Sequence, residues 1–298
     1  MNIIVTGAAG FIGSAVTKRL SETSHEIFAV DNLHTGVKEN LAGLENVKFF
    51  NSEAGSLGDL NLPFIDYIFH LGMPSSAPMY LKDPGLEGKT VEEFKNILEF
   101  SKTSDSKIVF ASTSSLYGGL DVPHKESMKV KPFDGYTRAR FRIEQLAREH
   151  SKESGLDSIG LRFFSVYGPG EKSKGRYANI LSQFMWSIQK DERPQIYGDG
   201  TQTRDFIFVS DVVDALFKAL EYNGSGIFNV GTGVQTSFNQ IIDMLNKALG
   251  RDIKPLYVGN PIKNYVYHTH ADCRKAREVL GFDAEYSLES GIKELVKG

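Results

Sequence analysis

The sequence predicts a doubly wound α/β fold, a parallel sheet covered on both faces, with a smaller mixed lobe toward the C-terminus. Two observations predict it. Short apolar runs, NIIV, EIFAV, VKFF, YIFHL and KIVFAS, recur through the first half without polar alternation, as strands do when both faces of their sheet are buried. Between them lie stretches of helical period, FIGSAVTKRLSE, VEEFKNILEFS and YTRARFRIEQLAREH, so β and α units alternate. Ligands of such folds sit at the carboxyl ends of the strands.

The rhythm changes after SIGLRFFSVYGPG. Residues 165–206 mix Gly, Pro, Lys and Arg around one helical stretch, YANILSQFMWSIQ, and end in the turn YGDGTQTRD. DVVDALFKALE and GIFNVG then read as a return to the sheet, before about sixty further residues of mixed character. We therefore expect a first lobe of residues 1–164 plus about 206–235, and a second lobe of residues 165–205 plus about 236–298.

Composition narrows the partners. The 298 residues carry 34 basic and 37 acidic side chains, a formal charge of -3, which offers no general attraction for nucleic acid or an anionic membrane. Any phosphate binding is local. The single cysteine, Cys273, has no internal disulfide partner, no Cys/His cluster has metal-ligand spacing, and no run approaches the roughly eighteen apolar residues of a membrane span. A soluble, unprocessed cytoplasmic protein without a metal is the expectation.

The most informative local stretch is IIVTGAAGFIGSAV. Gly7, Gly10 and Gly13 follow a strand and open a helix, the setting of a dinucleotide-binding turn in a Rossmann-like fold. Bare backbone approaches a pyrophosphate closely there, and the helix N-terminus offers free N–H groups. A tight strand-to-helix turn is the plainer explanation of three glycines alone. Asp31, however, ends the next strand in EIFAVDN, roughly twenty residues on, where a carboxylate accepts from the adenosine ribose hydroxyls and repels a 2'-phosphate. NAD is favoured over NADP, and loop capping is the alternative role for Asp31.

With TGAAGFIGS, DNLHTG, DYIFHLG, FASTSSLYGG, the Tyr136 helix, LRFFSVYGPG and IYGDGTQTRDFIFVSDVVDAL in order along residues 6–216, the chain resembles the extended short-chain dehydrogenases/reductases, in particular the NAD-dependent nucleotide-sugar epimerases and dehydratases. That resemblance implies a tyrosine, here Tyr136, that removes a proton from a sugar hydroxyl while NAD takes the hydride from the same carbon. It implies Thr113 as the hydroxyl partner of that oxygen, with Ser112 and Ser114 as neighbouring alternatives; capping of the following turn is the plainer role for this Ser/Thr run. It also implies that Phe11, Ile12, Asn32, Leu71, Gly72 and Phe163 line the cofactor site.

Family members carry lysine where this chain has Arg140, four residues after Tyr136. The lysine bonds the nicotinamide ribose and favours the tyrosine phenolate; an arginine keeps the charge and adds donors. The alternative for Arg140 is an ion pair with Glu144, one turn on, as part of a charged surface. The dehydratases resemble one another in an Asp-Glu pair after the Ser/Thr, whereas Ser114 and Ser115 stand here. A hydroxyl cannot perform a carboxyl group's proton transfer near neutral pH, so dehydration and decarboxylation are disfavoured.

At the substrate end the resemblance makes Arg204 the diphosphate ligand, a role that suits a planar guanidinium; an ion pair with Asp205 or Asp199 is second choice. Asn179 and Tyr197 match regions around the nucleotide, Ser165 stands where many members carry Asn, and Lys263 replaces a missing arginine loop. His268 and His270 alternate, without a third ligand for a metal. The implied homodimer would pair helices through Leu86, Phe94, Leu98, Phe141 and Leu146, each of which could instead face its own sheet. The function expected is epimerisation at C4 of a nucleotide-diphosphate sugar, UDP-glucose/UDP-galactose. The alternatives are an NAD-dependent sugar dehydrogenase or reductase, and a non-catalytic NAD-binding protein.

Overall fold

The computed structural model describes residues 1–262 and 265–297, so Lys263 lies outside the described residues. In chain order the elements are β1 (Asn2–Thr6), α1 (Phe11–Ser21), β2 (Glu26–Asp31), β3 (Val47–Asn51), β4 (Tyr67–His70), α2 (Ala77–Lys82), α3 (Leu86–Ser104), β5 (Lys107–Thr113), α4 (Gly135–Ser154), β6 (Ser158–Phe163) and β7 (Ser165–Tyr167). There follow α5 (Ile180–Gln189), β8 (Gln195–Tyr197), β9 (Thr203–Phe208), α6 (Val209–Glu221), β10 (Gly226–Val230), β11 (Gln235–Ser237), α7 (Phe238–Leu249), β12 (Leu256–Val258) and α8 (Leu288–Lys297).

The main sheet has seven parallel strands in the order β10-β6-β5-β4-β1-β2-β3. The chain winds outward from β1 through β2 to β3, then returns to place β4 on the other side of β1. A doubly wound, Rossmann-like sheet therefore reverses direction between β1 and β4, where a crevice opens. Register aligns the strand ends around it: Thr6 stands beside both Val30 and His70, and Thr113 beside Phe163.

The apolar runs serve two cores because side chains alternate across a strand. Ile3 and Val5 pack on one face with Val16 and Leu20 of α1 and Leu216 of α6. Ile4 and Phe110 pack on the other with Phe94 and Leu98 of α3 and Ile143 of α4. Phe94 and Leu98 thus face their own sheet, and Leu146 packs against the same cluster, while Leu86 packs beside Tyr136. Phe94 and Leu98 are thereby buried away from any seam between copies, whereas Leu86 and Leu146 are only partly buried.

β9 belongs to a three-stranded sheet of order β11-β9-β7, so the return to the main sheet begins with α6 and ends with β10. A third core, including Tyr167, Phe184, Phe208, Phe238 and Ile292, joins this small sheet to α5, α7 and α8. The helical stretch expected from Tyr177 is divided: a short 3-10 turn covers Glu171–Tyr177, and α5 starts after Asn179, whose Oδ1 accepts from Leu181 N at 3.0 Å.

Candidate active site

The glycine turn is built by close approach of two strand ends. Gly7 has a left-handed φ of +69° and a Cβ there would lie 2.7 Å from Gly72 Cα, while one on Gly13 would lie 1.9 Å from Gly7 O. Thr6 ties the strands together. Its Oγ1 accepts from Leu71 N at 3.2 Å and Gly72 N at 3.1 Å, and lies 2.8 Å from His70 Nδ1. With its oxygen accepting twice, the Thr6 O–H donates to His70. The ring is neutral: complete burial, and then the charge of Arg140, push His70 down to about 3.

α1 opens at Gly10 with no side-chain cap, which leaves its first amides, beginning at Phe11 and Ile12, for an anion. Asp31 is buried at the end of β2; its Oδ2 accepts from Ala9 N at 2.9 Å and its Oδ1 from Leu33 N at 2.7 Å. Burial raises its pKa while these backbone bonds oppose the rise. The carboxylate therefore does cap the loop, and it also lines the cleft. Asn32 donates to Glu53 Oε2 at 2.9 Å, and Lys89 bridges Glu53 and Glu93 at 3.1 and 3.7 Å. Burial first, and Glu53 against the opposing effect of Lys89, push Glu93 up to about 7. A glycine cradle, uncapped helix amides and an acidic rim fit NAD.

One cleft of about 780 Å³ runs from this turn past Leu71, Gly72, Phe163 and Thr113 to Arg204. Tyr136 enters it from the first turn of α4. That turn is fixed by a capping box in which Asp134 Oδ1 accepts from Thr137 N at 2.7 Å, an arrangement contributing about 1 kcal/mol. The Tyr136 ring is largely buried and packs 5.5 Å from that of Tyr80.

Arg140 is 3% exposed, not part of a charged surface. Its Nη2 donates to Pro74 O at 2.8 Å and its Nη1 to Ala111 O at 3.2 Å, with Met73 Sδ 2.6 Å away. The guanidinium carbon lies 5.3 Å from the centroid of the Tyr136 ring. The expected pair with Glu144 is absent. Glu144 instead accepts from Arg162 Nε at 2.8 Å and Nη2 at 2.6 Å beneath the site. Arg138 pairs with Glu87 and Arg142 with Glu149 on the surface. Arg140 has carbonyl partners but no carboxylate among the described residues, so its charge stands uncompensated beside the tyrosine.

Ser112 is also drawn away, because its hydroxyl donates to Glu144 Oε1 at 2.6 Å. Thr113 Oγ1 accepts from Ser115 N at 3.1 Å, which is the turn-capping role, and the bond leaves the Thr113 proton free to donate. Ser114 and Ser165 line the cleft half-buried.

At the far end, Arg204 lies between the rings of Phe238 and Tyr265, each 5.5 Å from its guanidinium carbon. Nη1 donates to Thr203 O at 2.8 Å and Tyr267 O at 3.2 Å. Neither expected carboxylate pairs with it: Asp205 accepts from the amides of Thr232, Gly233 and Ala271, and Asp199 from Thr201. Tyr197 and Asn179 line the same end, with Asn179 also donating to Val166 O at 2.9 Å. His268 Nδ1 meets Thr203 Oγ1 at 2.9 Å and His270 Nε2 meets Gly233 O at 2.9 Å. Among the described residues no group of three His, Cys, Asp or Glu side chains converges as a metal site.

Residues 3–231 match the model of the NAD dependent epimerase/dehydratase family. The chain belongs to that family. The UDP-glucose 4-epimerase of Mycolicibacterium smegmatis is 32% identical over 100% of this chain and 98% of its own length. The UDP-glucuronate 4-epimerase of Thermodesulfobacterium geofontis is 32% identical over 98% and 94%. The crystal structure of the Thermotoga maritima UDP-glucose 4-epimerase with UDP-glucose superposes with a TM-score of 0.94 at 33% identity, covering 100% of this chain and 98% of that one.

In this epimerase/dehydratase chain, sequence reasoning missed Thr6, Met73, Pro74 and Tyr80. Thr6 carried a signal, a hydroxyl closing a buried strand immediately before Gly7. The other three carried none, since their contacts to Arg140 and Tyr136 are made across the fold.

Proposed function

We propose that the chain is an NAD-dependent epimerase acting at C4 of a UDP-hexose, interconverting UDP-glucose and UDP-galactose through a transient 4-keto sugar. The observation that carries this is the buried, uncompensated Arg140 beside Tyr136, in the cleft that also holds the glycine turn and Arg204. Tyr136 takes the proton of the sugar hydroxyl at its phenolic oxygen, with the Arg140 cation beside its ring. Thr113 donates a hydrogen bond from its free O–H to the same sugar oxygen and orients it, keeping its own proton. When bound, NAD supplies the hydride store that makes the change of configuration redox-neutral overall. Arg204 holds the diphosphate, and Asn179, Tyr197 and Ser165 surround the nucleotide.

Gly7, Gly10, Phe11, Ile12, Gly13, Asp31, Asn32, Leu71, Gly72 and Phe163 form the cofactor side of this proposal, with lobes divided as the sequence suggests. A cytoplasmic homodimer completes it; light scattering tests the dimer. Among the described residues no helix is long and apolar enough to cross a membrane. The deciding experiment is a panel of UDP- and dTDP-hexoses that includes UDP-glucuronate, with products separated by chromatography and NAD content read from the same preparation. Exchange at C4 of UDP-glucose supports the proposal. Exchange of UDP-glucuronate alone reassigns the sugar, accumulating NADH selects a dehydrogenase, and bound NAD without turnover selects a non-catalytic protein.

A further inference from the structure

Lys174 also lines the cleft and has no part in the chemistry above. Lys174 lies in the 3-10 turn before α5, its Nζ 3.0 Å from Glu171 Oε1 and 5.5 Å from the centroid of the Phe11 ring. Phe11 is the first residue of α1, at the opening of the glycine turn. The Glu171 side chain is 1% exposed and that of Lys174 17%. Glu171 is fully engaged: Oε1 also accepts from Asn179 N at 2.7 Å, and Oε2 accepts from Ser182 Oγ at 2.7 Å. A carboxylate anchored to α5 thus holds an ammonium against the cofactor side of the cleft.

Stability is a poor explanation for this arrangement, because burying an ion pair costs about as much solvation as the pair returns. The other cations lining the cleft have different places. Lys89 bridges Glu53 and Glu93, Arg140 lies beside Tyr136, and Arg204 lies between Phe238 and Tyr265. The glycine turn itself offers amides and a helix dipole but no full charge, whereas a dinucleotide pyrophosphate is doubly anionic.

We infer that Lys174 is a cofactor-binding residue, whose ammonium supplies the positive charge for the pyrophosphate of NAD at the start of α1, with Glu171 as its positioning residue. The inference rests on NAD binding and is independent of which sugar is the substrate. The nucleotide sugar carries a diphosphate of the same chemistry, so the test separates the two.

The test uses the full chain, stripped of nucleotide, as wild type, Lys174→Met, Lys174→Arg and the double variant Glu171→Gln/Lys174→Met. NAD affinity is measured by calorimetry without sugar at low and high salt, alongside thermal midpoints and KM for the nucleotide sugar. Lys174→Met should bind NAD about tenfold more weakly with a flatter salt dependence, and Lys174→Arg should keep most of the affinity. The double variant removes the buried unpaired charge, so it should regain stability while remaining as weak for NAD as Lys174→Met. Unchanged NAD affinity in Lys174→Met overturns the inference, as does recovery of affinity in the double variant. A raised KM for the sugar with NAD affinity intact would give Lys174 to the substrate's diphosphate instead.

Discussion

Arg140 and Tyr136 are one helical turn apart on α4, the guanidinium carbon 5.3 Å from the ring centroid, with both side chains buried in the cleft. The arginine is held by the carbonyls of Pro74 and Ala111, neither of which neutralises it. A lysine would place its charge in the same region with fewer donors.

Arg140→Lys is therefore expected to retain or raise turnover, and Arg140→Ala to lose about 10²-fold or more, since the cation beside the reacting tyrosine is removed. Steady-state turnover from pH 6 to 10 checks both. Equal rates in all three proteins would remove Arg140 from the mechanism.

The glycine turn has no room for a side chain at Gly13, where a Cβ would lie 1.9 Å from Gly7 O. Gly13→Ala should yield protein without bound NAD and with a lower thermal midpoint. Gly58→Ala is the control, because a Cβ there meets nothing within 4 Å. NAD content by absorbance and chromatography decides the matter, and a fully loaded Gly13→Ala protein would contradict the proposed cradle.

Glu144 and Arg162 form a buried bidentate pair, with side chains 3% and 5% exposed. Removing one partner strands the other charge, so Glu144→Leu should cost about 3–5 kcal/mol, while Glu144→Leu/Arg162→Met costs much less than the sum of the single changes. Urea denaturation measures each. A single-variant cost below about 1 kcal/mol would mean that the pair is hydrated.

Glu93 titrates near 7 in the folded chain because of burial and Glu53, with Lys89 opposing. Its folded value lies above the unfolded one, so its contribution favours folding fully below the unfolded pKa and is lost as pH rises through about 7. The change amounts to roughly 1–2 kcal/mol after allowing for solvent screening. Glu93→Gln should flatten the decline in stability between pH 5 and pH 8, followed by denaturation midpoints at each pH. An identical slope in the variant would show that other groups carry it.

The local features of this chain were legible because each depends on a short segment. Apolar runs without alternation gave the buried parallel strands. Gly7, Gly10 and Gly13 marked the turn between β1 and α1, and Asp31 the end of β2. The resemblance, carried by motifs in fixed order, pointed to Tyr136. Helical period put Arg140 on the same face as both Tyr136 and Glu144 and could not say which neighbour it had.

That choice belonged to the tertiary structure. β6 brings Arg162 beneath α4 to claim Glu144, which also takes the Ser112 hydroxyl, and the loop after β4 brings Pro74 and Met73 to Arg140. The inward faces of Phe94 and Leu98 and the meeting of Lys174 with Phe11 were settled in the same way. Periodicity fixes which side chains share a face, because it follows from backbone geometry repeated along one segment. Partners distant in sequence are assigned by how the sheet and its helices pack, a property no single segment carries.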